Sequence, residues 1–113
     1  MRPATTSPVT VRTVADWNDV EPAIGVALGR TELVKVRLER PTPDRIEVRL
    51  RSSRDEPGLL VVTRTAAGGD PVPMTLTCTI GRFGDPAREQ QLIVYVVERL
   101  EQLKGVEFAS VQE

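Results

Sequence analysis

The stretch "LVKVRLERPTPDRIEVRLRSS", Leu33 to Ser53, decides the fold. Its hydrophobic period is two. In the first half Val34, Val36 and Leu38 share one side, with Lys35, Arg37 and Glu39 opposite; in the second Ile46, Val48 and Leu50 oppose Arg45, Glu47, Arg49 and Arg51. Side chains of a strand alternate between two faces, so both halves read as strands with one buried side. The intervening "PTPD" supplies turn residues.

Two further strands follow: "LLVVTRT" (59–65) after "RDEPG", and "MTLTCTI" (74–80) after "AAGGDPVP". Met74, Leu76, Cys78 and Ile80 alternate with Thr75, Thr77 and Thr79. Four short-linked strands predict an antiparallel meander. Residues 59–65 leave two placements open. If Thr63 and Thr65 point to the core, Leu60 and Val62 lie among the arginines; if Leu60 and Val62 point inward, so does Arg64.

Helical signals flank the meander. Residues 1–8 read as a flexible tail and "VTVRTV" (9–14) as a short strand, with 9–113 forming one domain. In "ADWNDVEPAIGVALGR", Val20, Ala23, Ile24, Ala27 and Leu28 recur at helical spacing, with Asp19 favoured over Asp16 as N-cap and Gly29 as the left-handed end. At the other end, Leu92, Ile93, Val96, Val97, Leu100 and Leu103 form an apolar stripe behind Asp85 as cap and Pro86 at the first helical position. Gly105 reads as its stop, and "VEFASV" as a last edge strand.

The expected fold is therefore α+β: a curved antiparallel sheet of four to six strands with two helices on one face, in the order β-α-β-β-β-β-α. This order resembles one repeat of the TATA-binding-protein fold and, more loosely, helix-grip folds. The resemblance is one of topology and carries no function.

Composition narrows the chemistry. The chain has 113 residues, no histidine and a single cysteine, Cys78. That removes His-based acid–base steps, Ser-His and Cys-His pairs, Cys/His zinc sites and internal disulfides. Cys78 reads as a small core hydrophobe and Trp17 as a core plug. The acidic pairs Asp55-Glu56 and Asp16/Asp19 lack further ligands for a metal. No catalytic residue, metal or cofactor is expected, and the reading points away from an enzyme. No apolar run approaches the roughly 20 residues of a membrane span, so a membrane role is not expected and a cytoplasmic location is taken by default.

Thirteen arginines against two lysines leave a basic bias within a net charge of -1. Arg37, Arg49, Arg51 and Arg64 are the candidate anion-binding residues of the uncovered sheet face. The chain has few aromatics to stack on bases, and Arg–Glu pairing across strands explains the same pattern, so nucleic acid is possible but not favoured. An apolar patch ringed by Arg and Thr is what a protein interface presents. Leu60, Val62 and Tyr95 are its candidate residues, and a homo-oligomer or protein partner is the expected assembly. In "GRFGDPAR" (81–88) the free amides of a helix start could hold an anion, but Asp85 competes for them, so a capped strand-to-helix turn with Phe83 as a staple is the expectation.

Overall fold

A computed structural model describes residues 7–65 and 72–111, with side chains through Leu103. The elements are β1 (Val9–Ala15), a 3₁₀ turn (Trp17–Asp19), α1 (Val20–Thr31), β2 (Val34–Thr42), β3 (Arg45–Arg51), β4 (Pro57–Arg64), β5 (Val72–Ile80) and α2 (Pro86–Val111). All neighbouring strands are antiparallel, in the order β1-β5-β4-β3-β2. The expected α+β class and element order are present, with five strands.

Burial divides the sheet into two faces. The even-numbered residues Ile46, Val48, Leu50, Leu60, Val62, Met74, Leu76, Cys78 and Ile80 are buried, together with Ile24 and Leu28 of α1 and Leu92, Ile93, Val96 and Leu100 of α2. α2 packs on β5, β1 and α1. Both helices therefore cover one side of the sheet, as the alternation requires.

Asp19 is the N-cap residue of α1, as expected, but its side chain makes no cap bond; Asp16, which caps the preceding 3₁₀ turn, accepts through Oδ1 from the Asn18 amide at 2.8 Å. A 3₁₀ turn inserted before the helix moves the useful carboxylate one turn earlier. Gly29 lies inside α1, and Glu32 takes the left-handed C-cap at φ 57°. α2 continues through Gly105 to Val111, so the expected edge strand 106–111 is helical. One interior glycine costs only about 1 kcal/mol, too little to end a helix unaided.

β2 also departs from its simple alternation. Its register with β3 runs Lys35↔Leu50, Arg37↔Arg49, Glu39↔Glu47 and Thr42↔Arg45, which places one extra residue in β2 at each of two points. Each extra residue is a bulge on an edge strand. Directly paired residues share a face, so Lys35 and Leu38 lie on the inner side while Val34, Arg37 and Glu39 lie outside. Val34 and Val36 are 63% and 55% exposed instead of joining Leu38 in the core.

Of the expected tail 1–8, residues 1–6 lie outside the described residues. Ser7 is held: its hydroxyl donates to Glu89 Oε2 at 2.8 Å. Residues 66–71, between β4 and β5 in the sequence, also lie outside them.

Candidate interaction surface

The pairing registers set out the outer face residue by residue. One row across the strands reads Arg37, Arg49, Leu59, Thr79; the next reads Glu39, Glu47, Val61, Thr77, Thr10. A third carries Thr42, Arg45, Thr63, Thr75 and Arg12. Among the described residues no helix lies over this side. Leu59 and Val61, both half-buried, are its apolar centre.

The parity of β4 is thereby resolved, and it corrects the expected interface. Leu60 and Val62 are 0% exposed beneath the helices. They are paired to Val48 and Ile46 on one side and Cys78 and Leu76 on the other, all core residues, so they are unavailable to a partner. Tyr95 belongs to the helical layer, half-buried against the core, with the Arg30 guanidinium 4.0 Å from its ring centroid. The three residues form no common surface. Their neighbours Leu59 and Val61, one position away, are the apolar residues that β4 places on the outer face.

The four candidate anion-binding arginines are likewise split. Arg37 and Arg49 face each other directly across β2 and β3. Arg37 Nε lies 3.5 Å from Glu39, and Arg51 Nη1 2.7 Å from Asp55. Arg64 is on the inner parity, bonded to Asp44 at 2.8 Å with its guanidinium 4.9 Å from the Trp17 ring centroid. Trp17 itself is buried, as a core plug should be. Arg45 is held by Glu47 at 2.6 Å. The cross-strand neighbours are thus like charges, Arg37 with Arg49 and Glu39 with Glu47, and opposite charges meet along each strand. The Arg49 side chain has no hydrogen bond or ion pair among the described residues.

The β5–α2 turn shows why no external anion is required there. Glu89 is buried, and its Oε2 accepts from the Ile80 amide, the Asp85 amide and Ser7 Oγ, each at 2.8 Å. Asp85 Oδ1 accepts from the Arg88 amide at 3.3 Å. A carboxylate of the chain itself therefore occupies donors that an anion would use. Glu89 Oε1 is buried with no hydrogen-bond partner among the described residues. Gly84 has φ +82°, and a Cβ there would overlap the Ser7 side chain, so this position demands glycine twice over. Phe83 is 94% exposed at the tip and staples nothing.

Cys78 is buried and its thiol is pushed up to about 12, by burial first and by the Glu89 carboxylate second. A thiol held in its neutral form is no nucleophile. Clefts among the described residues flank the core. An apolar groove of about 400 Å³ lies between α1 and β2, lined by Ile24, Leu28, Leu33 and Leu38. A polar cleft of about 360 Å³ near the start of α2 holds Glu32, Arg54, Asp85 and Arg88, with Arg88 bonded to Glu56 at 3.0 Å. No cluster of three or more acidic or Cys side chains able to hold a metal occurs among the described residues, and no helix there is long and apolar enough to cross a membrane.

Comparison of the chain with protein-family models and with curated proteins finds no match.

Proposed function

We propose that this chain is a non-enzymatic protein-interaction module that self-associates through the outer face of its sheet. The observation that carries the reading is a five-stranded sheet whose two helices lie on one side while Leu59 and Val61 occupy the middle of the other. An apolar centre within a rim of Arg, Glu and Thr has the composition of a docking patch. The two bulges and Pro41 in β2 blunt that edge against strand addition, which favours the face over this edge as the binding element.

Light scattering after size exclusion, at low and high salt, tests it. Self-association should give a mass above 12.5 kDa, and Leu59→Arg or Val61→Arg should reduce it to the monomer. A monomer at millimolar concentration in both salts would overturn the reading. The alternative, an anion or nucleic-acid binder centred on Arg37 and Arg49, predicts instead a monomer whose binding to a nucleic acid weakens steeply with salt.

A further inference from the structure

We infer that the partner on this face is a second copy of the chain, docked about a two-fold axis that runs across the strands between the two central rows. The inference rests on the reading just given and adds its register. Arg37, Arg49 and Leu59 lie in one row; Glu39, Glu47 and Val61 lie in the next, each two residues along the same strand from its counterpart. Two residues of strand span about 7 Å. A two-fold axis lying in the interface, parallel to the rows and midway between them, turns the second sheet over and exchanges the rows. Every position then meets its counterpart: Arg37 faces Glu39 of the second copy, Arg49 faces Glu47, and Leu59 faces Val61. The symmetry makes each contact occur twice, as an isologous interface requires.

Three features of the single chain fit this arrangement. Like charges directly across a strand pair repel, and in one copy the Arg37–Arg49 and Glu39–Glu47 pairings are offset only by the along-strand pairs Arg37–Glu39 and Arg45–Glu47. A facing row of opposite charge converts both into favourable contacts. Arg49 lacks a carboxylate partner among the described residues and meets Glu47 of the second copy, whose Oε2 also accepts from Arg45 of its own chain. The pair Arg37–Glu39 is exposed, with side chains 68% and 40% accessible, so it re-pairs at little cost. At the edge of the patch Arg45 and Arg51 approach one another, each already holding a carboxylate of its own, Glu47 and Asp55.

The size is adequate. Five strands about 4.8 Å apart and roughly seven residues long present on the order of 600 Å² per copy, or about 1,200 Å² for two, which reaches the lower bound of stable specific interfaces. Sheets pack face to face about 10 Å apart with strands within about 30° of alignment, a gap that facing Arg and Glu side chains bridge.

A charge swap on β3 tests the register. Arg49→Glu places Glu against Glu47 of its own kind, and Glu47→Arg places Arg against Arg49, so each variant alone should self-associate about tenfold or more weakly than wild type in sedimentation equilibrium. An equimolar mixture restores opposite charges at both contacts and should associate within about threefold of wild type as a heterodimer. Far-UV circular dichroism confirms that each variant is folded, and Arg37→Glu with Glu39→Arg repeats the design on β2 should a β3 variant not fold. If wild type self-associates and Leu59→Arg abolishes it, yet the mixture is no better than either variant, this register is overturned while the face remains the interface. If wild type is monomeric, both fall together.

Discussion

The two faces of this sheet are built from the same strands, yet one is closed and the other open, and in β4 a single residue separates them. Leu59 and Val61 are as apolar as Leu60 and Val62. The difference lies in what stands beside them. Leu60 is flanked by Val48 and Cys78 under the helices, whereas Leu59 is flanked by Arg49 and Thr79. Hydrophobicity alone does not say which side of a strand is the core; the cross-strand neighbours do.

The largest expected effect breaks the comparison directly. Leu60→Ala removes a fully buried side chain and should lower the unfolding free energy by about 3–5 kcal/mol. Leu59→Ala should cost about 1 kcal/mol or less in dilute monomer, because its side chain is only half-buried. Urea denaturation of both variants measures the gap. Equal losses would mean that the outer face is covered within the chain.

Carboxylates give the next contrast. Glu89→Ala leaves the Ile80 and Asp85 amides without their acceptor and should cost about 2–3 kcal/mol. Glu39→Ala, on the outer face, should change stability by less than about 0.5 kcal/mol. The same denaturation series decides. A near-neutral Glu89→Ala would show that the turn holds its shape without the internal carboxylate.

This contrast marks what the sequence discloses and what it hides. The alternation in β3 and β5 and the apolar stripe of α2 each state their buried side outright, so the α+β order was legible. Glu89 was legible in principle, as a charged residue three and four positions before Leu92 and Ile93 on the same stripe. The bulges of β2 were not, because an inserted residue leaves no trace in a period-two pattern and is fixed only by the register against β3. Nor was the parity of β4, where four successive apolar residues satisfy either face. The sequence therefore admits Leu60 and Val62 on the outer face, and only the pairing with Val48 and Ile46 puts them in the core.

The smallest effect belongs to Glu56, at the seam where the β3–β4 turn meets α2. Its Oε1 accepts from Arg88 Nη1 at 3.0 Å and from Ser52 Oγ at 3.0 Å. Those bonds, the one from Arg88 first and the one from Ser52 second, hold its carboxyl below the usual carboxylate range. Because the folded value lies below the unfolded one, the stabilisation is present at neutral pH and is lost as pH falls through the folded value. Wild type and Glu56→Gln should therefore differ slightly in thermal midpoint at pH 7, and the gap should close as pH falls through the lowered folded value. The pair is solvent-accessible, so added salt should narrow the pH 7 gap as well. A gap that does not narrow on acidification would mean that Glu56 acts through packing of the turn against α2 rather than through its charge, and would make the seam resemble the buried face rather than the open one.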